Sequence, residues 1–359
     1  MFSSLGTIQS MVTKCGKVVI LPSVTLSVPS GANVSYNLNY TNTISGLGNY
    51  NYTKTGYKVY FINNTITPSN TASGNVSGTF TLTVTGATTT VYYAVSASGG
   101  GGGGGNEAGG GASSGELKYG SITLPIGTYN CSCTIGTGGY GCPSYMESAT
   151  FISPGGTGGY GYQGVNSTLV INGTTITANK GCPGGPSHMS NTASGFVLGG
   201  GAGTNINTGY GTLNGATGST FSGGTSISMS QNNYCTGGSS GASNEGAGIG
   251  ASTTGPAQAG MMGQIPTPTT KFPVGLQFNQ TCYFAEGGHG SNAKMAASPS
   301  FNPTQSTYKL AGANGQANSS GYATDSILGS GGSGANQNTG VTARGGVGNG
   351  GNGFILLSF

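Results

Sequence analysis

Phe80-Thr81-Leu82-Thr83-Val84 is the stretch that decides the fold, because apolar and hydroxyl side chains alternate along it without interruption. Successive side chains of a strand point to opposite faces of a sheet, so this run predicts a strand with one buried and one polar face. The predicted strands of the first part, several of them separated by Pro-, Gly- or Asn-containing turns, are 17–21, 24–28, 34–40, 57–62, 79–85 and 91–97. We therefore expect an N-terminal β-sandwich, jelly-roll-like, over residues 1–97.

Glycine sets the rest of the chain apart from this first part. Nine of the 74 glycines lie in residues 1–98, and the others crowd the sequence from a seven-glycine run at 99–105 onward. Without a Cβ, backbones can approach closely, and extended segments can then hydrogen-bond to one another. We therefore expect an all-β protein in which residues 98–359 form a glycine-rich β domain with polyglycine, polyproline-II-like loops.

Two further segments of the second part have clear local predictions. Asn172-Gly173 lies between two β-prone runs, and this pair is a strong signal for a two-residue hairpin turn. The stretch 354–359 is apolar, and an exposed apolar strand favours aggregation. We expect it to be tied into the core.

Ionisable side chains are too scarce to favour catalysis. Charged residues make up 4% of the chain, against about 25% in an ordinary soluble domain. Glu286 and His289 are the one close acid–histidine pair, and they keep a polysaccharide hydrolase open as an outside alternative. Two Gly-Thr-Gly-Gly-Tyr-Gly phrases match a dinucleotide-binding motif, but no helix-forming sequence follows either. We expect no enzyme activity and no cofactor.

The distribution of basic residues argues against nucleic-acid binding, and the short apolar stretches argue against a membrane span. The ten Lys and Arg residues are mostly scattered, whereas binding of nucleic-acid phosphates needs clustered cations. No apolar stretch approaches the roughly 18 residues that a membrane span requires. Residues 1–23 lack a charged segment followed by an apolar run, so we expect no signal peptide and synthesis in a cytoplasm.

Three groups of residues are candidates for recognition or covalent modification. Tyrosines within glycine-rich segments offer flat faces and hydroxyls for a sugar or protein, although packing over glycine backbone is the alternative. The cysteines lack the Cys-x2-Cys spacing of zinc sites, which favours disulfides or buried thiols. Asn-x-Ser/Thr sequons are candidate glycosylation sites, by a virus-specific route if no signal peptide is present. The candidates are Tyr140, Tyr160, Tyr162 and Tyr210 for recognition, Cys131, Cys133, Cys142 and Cys182 for disulfides, and Asn33, Asn39, Asn51, Asn63 and Asn75 for glycosylation.

The order of phrases along the second part carries a resemblance. The stretch 93–98 enters the glycine run, and the phrases 124–129, 134–139 and 167–178 follow before the exit at 350–359. In this order the chain resembles the glycine-rich domain of bacteriophage tail fibres and tail-tip adhesins, also found in structural proteins of large DNA viruses. The resemblance covers about residues 91–359. It implies a virion-surface location, host binding through the glycine-rich loops and frequent oligomerisation.

The cysteines and the Asn/Thr-rich first part depart from that family, and they fit a large virus of a eukaryote as readily as a phage. We therefore expect a virion structural or surface protein, capsid-associated or part of a fibre, with roles in assembly and host attachment. Its expected partners are other virion proteins, further copies of the same chain (a trimer included) and a host surface glycan or protein. The alternative is an extracellular or cell-surface filament or matrix protein.

Overall fold

A computed structural model describes residues 23–27, 30–31, 57–69, 74–102, 112–141, 161–184, 272–277, 329, 331–332 and 348–359, together with the backbone of several short strands elsewhere. The predicted all-β class is confirmed: strands dominate these residues, and the one helical turn among them is a 3₁₀ turn at Val274–Leu276. In chain order the strands are β1 (Met11–Val12), β2 (Val18–Val19), β3 (Ser23–Leu26), β4 (Val34–Asn39), β5 (Val59–Asn64), β6 (Asn75–Thr85), β7 (Thr89–Ser96), β8 (Glu116–Leu124), β9 (Gly127–Gly136), β10 (Ser167–Ile171), β11 (Thr174–Ala178), β12 (Asn205–Asn207), β13 (Thr212–Asn214), β14 (Ala242–Ser243), β15 (Gly246–Ala247), β16 (Thr267–Pro268), β17 (Tyr283–Phe284) and β18 (Phe354–Ser358).

Two sheets enclose the core. The five-stranded sheet has the order β11-β10-β9-β6-β3 and is antiparallel throughout. The seven-stranded sheet has the order β15-β14-β8-β7-β18-β5-β4, with one parallel pair, β14 and β8. Buried side chains of both sheets belong to one hydrophobic cluster, so the sheets pack face to face as a sandwich.

Strand β6 shows why the sequence folds this way. Buried and more exposed side chains alternate strictly along its eleven residues, as the run at its centre predicts. Phe80, Leu82 and Val84 point into the core, where Ile355 and Leu357 of β18 belong to the same cluster. Each fully buried side chain of this kind contributes about 1.5–3 kcal/mol to stability.

Both sheets combine strands from either side of residue 97. Strand β6 pairs with β9 from Asn75 opposite Gly136 to Val84 opposite Gly127. Strand β18, from the end of the sequence, lies between β7 and β5. The expected division into domains 1–97 and 98–359 therefore does not separate two packed units in the described part of the chain. The physical reason is that β5, β6 and β7 complete their backbone hydrogen bonding with strands from beyond residue 97.

The hairpin and the C-terminal strand are confirmed. Asn172 and Gly173 have φ values of 49° and 73°, as a tight turn between β10 and β11 requires. All five residues of β18 are buried, and the 3₁₀ turn with Phe272 packs over the outer face of the seven-stranded sheet. There the ring centroids of Phe272 and Tyr119 lie 4.9 Å apart.

Candidate recognition site

At one end of the sandwich the strands continue into glycine-rich segments that pack side by side. We call this assembly the glycine bundle. Its central segment, 98–102, follows β7. Five other segments also join a strand: they lie directly before β8, β10 and β18 and directly after β9 and β11. Around the centre lie 112–115, 137–141, 161–166, 179–184, 331–332 and 348–353, and the glycines of all these segments are buried.

Successive backbone amides of the central segment donate to successive neighbouring segments around it. The amides of Gly99 and Gly102 are three residues apart, and both donate to the segment 348–353. The acceptors are the carbonyls of Gly351 and Gly348, at 3.0 and 2.9 Å. A repeat of three equals the three residues per turn of a polyproline-II helix, which has no hydrogen bonds of its own.

The backbone acceptors of the central segment follow the same repeat. The carbonyls of Ser98 and Gly101 accept from Gly181 and Gly184 of one neighbouring segment, both at 2.9 Å. The remaining backbone bonds of the centre run from Ser98 N to Val165 O (3.2 Å), Gly100 N to Ser113 O (3.0 Å), Gly101 N to Tyr162 O (2.9 Å), Gly139 N to Gly99 O (2.9 Å) and Gly332 N to Gly100 O (2.8 Å). In the described part of the chain, the centre is thus bonded to all six neighbours.

Close approach explains why these segments must be glycine. A Cβ built on Gly100 would lie under 3.0 Å from the carbonyl oxygen of Cys182, and one on Gly101 would clash in the same way with that of Tyr140. Both carbonyls belong to the backbone, so they cannot swing aside as a flexible side chain can. Any other residue would force neighbouring segments apart and break several backbone hydrogen bonds at once.

Asparagine and serine side chains fix the bundle to the sandwich. The Asn352 amide donates to the carbonyls of Asn64 (3.0 Å) and Ile66 (2.7 Å), and its Oδ1 accepts from the Gly138 amide at 2.8 Å. The Ser98 hydroxyl similarly donates to a backbone carbonyl within the bundle and accepts from a backbone amide. Sequence reasoning missed these residues, because nothing in a Gly-Asn-rich phrase distinguishes a buried asparagine from a solvated one.

Two of the four candidate recognition tyrosines lie together in the bundle. Tyr162 N donates to Tyr140 O at 2.8 Å, and their ring centroids are 6.3 Å apart with an angle of 55° between the planes. Both residues are partly exposed. They lie level with Gly101, several residues beyond the ends of the strands. Tyr160 and Tyr210 lie outside the described residues.

Among the described residues, the surroundings of this tyrosine pair are almost free of charge. Lys180 is the one charged residue in the sequences of the seven bundle segments. The nearest acid along these segments, Glu116, is largely buried, and its carboxylate accepts from the backbone amide and side chain of Asn179 at 2.9 and 2.8 Å. It also lies 3.5 Å from Lys118. Such a site would bind through ring faces, hydroxyls and backbone groups rather than through ion pairs.

The described cysteines are buried thiols. Cys131 and Cys133 point into the core from β9, carry free thiols, and burial raises the pKa of each to about 11. At neutral pH they are therefore protonated and poor nucleophiles or metal ligands. Cys182 is buried in the glycine bundle, where its amide donates to the Ser113 hydroxyl at 2.7 Å. Cys142 lies outside the described residues, so its pairing stays a prediction.

No cluster of three or more potential metal ligands occurs among the described residues. Glu286 and His289, the acid–histidine pair of the hydrolase alternative, lie outside them. The same described residues contain no helix long and apolar enough to cross a membrane.

The candidate glycosylation sites differ in exposure. Asn75 is exposed at the start of β6, and Asn63 is half-buried in β5. Asn39 ends β4, where only the backbone is described, and Asn33 and Asn51 lie outside the described residues. Three other described sequons, at Asn130, Asn166 and Asn172, are also exposed. Their modification stays a prediction.

The outer side of the five-stranded sheet is a second surface of unusual chemistry, which we call the hydroxyl face. Its strands contain no charged residue. Hydroxyls lie opposite each other across strands, as in Ser77 and Thr134 at 3.4 Å. Its Ser and Thr residues are Ser23, Thr25, Ser77, Thr79, Thr81, Thr83, Thr85, Thr128, Ser132, Thr134, Thr168, Thr175 and Thr177.

Comparison with protein-family models and with curated proteins found no match to this chain.

Proposed function

We propose that this chain is a structural protein of the virion surface, capsid-associated or part of a fibre, that attaches the particle to its host through the end of the glycine bundle. The observation that carries the proposal is the Tyr140–Tyr162 pair, partly exposed on a bundle whose backbone groups hydrogen-bond to one another. Its resemblance to glycine-rich viral adhesins supports the same reading.

The bundle supports attachment because it holds the rings in place before a ligand arrives. The backbones of Tyr140 and Tyr162 are bonded to each other, and Tyr162 is also bonded to the central segment. Binding then loses little conformational entropy, since the contact groups are already ordered. Tyrosine adds broad contact area with few rotatable bonds.

The scarcity of charge supports a neutral ligand. With Lys180 the one charged residue of the bundle segments, a strongly anionic receptor would find few ionic partners. Neutral sugar rings instead offer apolar C–H faces to aromatic rings and hydroxyls to polar groups. We therefore favour a neutral glycan as the host receptor.

A first experiment tests the location. Particles purified from the source should contain this chain at a fixed copy number, measured by quantitative mass spectrometry against the major capsid protein. Absence from purified particles, with the chain recovered in the extracellular matrix, would replace the virion proposal with the filament or matrix alternative.

A second experiment tests attachment. We expect Tyr140→Ala/Tyr162→Ala to lower binding of the purified chain to host cells, or to an array of neutral glycans, by about 10-fold or more, in line with the loss of two aromatic contacts. Tyr57→Ala is the matched control, because Tyr57 is also a partly exposed tyrosine in a ring pair, with Tyr92 at 5.8 Å. Tyr57 lies at the end of β5 away from the bundle. Equal binding by the double variant and the control would refute attachment through this pair.

A further inference from the structure

We propose that two copies of this chain pair edge to edge through β11, joining their five-stranded sheets into one continuous ten-stranded sheet. The partner is thus a second copy of the chain, and the contact is an antiparallel strand pair around a twofold axis. The inference does not depend on host attachment. Attachment is proposed through tyrosine side chains of the glycine bundle, whereas this pairing uses backbone groups at an edge of the sandwich.

Among the described strands, β11 lies at one edge of the five-stranded sheet, and its sequence lacks the residues that usually prevent edge pairing. It pairs with β10 on one side and ends the described order of the sheet on the other. Its sequence, Thr-Thr-Ile-Thr-Ala, has no charge, proline or glycine. Natural sheets usually guard such edges with lysine, proline or a bulge. Thr174 and Thr175 are exposed, so solvent reaches this strand.

The opposite edge of the same sheet is built differently. Strand β3 has Pro22 directly before it and Pro29 soon after it, and proline cannot donate a backbone hydrogen bond. The contrast between a proline-bounded edge and an open one within a single sheet indicates that β11 is the side where pairing is tolerated.

The hairpin fixes which backbone groups are offered. Ile171 and Thr174 flank the two-residue turn and face each other in the register. In such a hairpin the flanking residues exchange both backbone hydrogen bonds, and the pattern then alternates along the strand. The N–H and C=O groups of Thr175 and Thr177 therefore point away from β10. A twofold axis at Ile176 would place Thr175 opposite Thr177 of the second copy, with four backbone bonds between them.

The chemistry of the strand favours a copy of itself over an unrelated partner. A threonine hydroxyl both donates and accepts hydrogen bonds, so an identical row of threonines is complementary to itself. Without charge on either strand there is no like-charge repulsion, and isologous contacts of this kind are the commonest in homo-oligomers. The paired sheets would also merge two hydroxyl faces into one.

Five residues a side make a small interface. It falls below the roughly 1,000 Å² expected of a contact that is stable in isolation. We therefore expect weak, reversible pairing in dilute solution, strengthened where many copies are held close together in an assembly. Covalent trapping is the suitable measurement, because it accumulates a short-lived pair.

The test is oxidative cross-linking of Thr175→Cys/Thr177→Cys in the full chain. We expect a disulfide-linked dimer that forms at least about 10-fold faster than in the wild type, whose own cysteines give the background, because cross-strand Cα separations of about 5.5 Å suit a disulfide. Thr175→Cys alone should cross-link more slowly, since the register sets it opposite Thr177 rather than opposite itself.

Ser23→Cys/Thr25→Cys, on the proline-bounded edge, is the matched control. Thr175→Lys should reduce the association of otherwise unmodified chains, measured by chemical cross-linking, whereas Thr81→Lys at the centre of the hydroxyl face should not. Circular dichroism checks that each variant is folded. Cross-linking of the β11 pair no faster than that of the β3 pair, or equal loss from both lysine variants, would overturn the proposal.

Discussion

At the scale of single residues, the glycine bundle requires positions that carry no side chain. In the glycine bundle, backbone carbonyls of neighbouring segments occupy the space where a Cβ would stand. Glycine is therefore required there by close packing rather than by an unusual backbone conformation. Glycine costs more conformational entropy to order than any other residue. The bundle offsets that cost with hydrogen bonds between segments, which is why its glycines are needed together.

Gly101 tests this directly. We expect Gly101→Ala to lower the free energy of unfolding by about 3 kcal/mol, because the added methyl meets the Tyr140 carbonyl and overpacks the bundle. Gly74→Ala is the control, since a Cβ there meets nothing within 4 Å. Urea denaturation of both variants measures the difference. Equal stability of the two would show that the bundle can expand without loss.

The two core thiols predict a pH dependence. Burial raises the pKa of Cys131 and Cys133 to about 11, whereas thiols of the unfolded chain ionise near about 8.5. Between these values the unfolded state binds fewer protons than the folded state. The free energy of unfolding should therefore fall as the pH rises from about 9 to 11.

Comparison with Cys131→Val/Cys133→Val isolates this effect, because the variant keeps every tyrosine that also ionises in this range. The stability advantage of the wild type over the variant should shrink between about pH 9 and pH 11. Parallel curves of stability against pH would contradict the assignment of the loss to these thiols.

At the scale of elements, period-2 alternation decides most of the sandwich. It predicts the positions of β3 to β7 closely, and β3, β5, β6 and β7 each place apolar side chains in the one core. It misses β8, where Glu116 and Lys118 interrupt the apolar pattern, and β9, where the inward side chains are mostly cysteines. These two strands are specified by their partners β7 and β6 more than by their own composition.

The candidate site was predictable in its residue types but not in its geometry. Tyrosines among glycines mark Tyr140 and Tyr162 as candidates, yet nothing in the sequence says that they become neighbours. Glycine segments have no side chains, and so no pattern that would identify which segment binds which. The role of Asn352, which holds three backbone groups, was hidden for the same reason.

Strand β6 provides the test at this scale. Leu82→Ala removes a fully buried side chain from the shared core, and we expect a loss of about 2–5 kcal/mol in the free energy of unfolding. Thr81→Ala, on the hydroxyl face next to it, should cost less than about 0.5 kcal/mol. Thermal and urea denaturation of the pair would measure the contrast. Similar losses would mean that the two faces are not buried and exposed as described.

At the scale of the whole molecule, the sandwich and the glycine bundle form a single interdependent structure. Strand β18 provides Ile355 and Leu357 to the core, and the segment just before it bonds to the centre of the bundle. Loss of this strand would therefore open the seven-stranded sheet and the bundle together.

Removal of residues 354–359 tests this interdependence. We expect the shortened chain to lose its cooperative unfolding transition and its near-ultraviolet circular dichroism signal. Phe359→Ala is the control, because it keeps β18 and removes only the ring that stacks on Tyr60 at 5.1 Å. A truncated chain that still unfolds cooperatively would show that the two parts fold independently.

The central place of β18 also constrains when the molecule can fold during its manufacture. Ribosomes make β5 and β7 early, yet the strand that bridges them begins only at Phe354, long after β7 ends at Ser96. Until β18 is translated, β5 and β7 each have an unpaired edge, and such edges on nascent chains can associate with other chains and aggregate. We expect pulse-labelled chains to acquire protease resistance only after β18 has left the ribosome, and chains stalled before Phe354 to stay protease-sensitive.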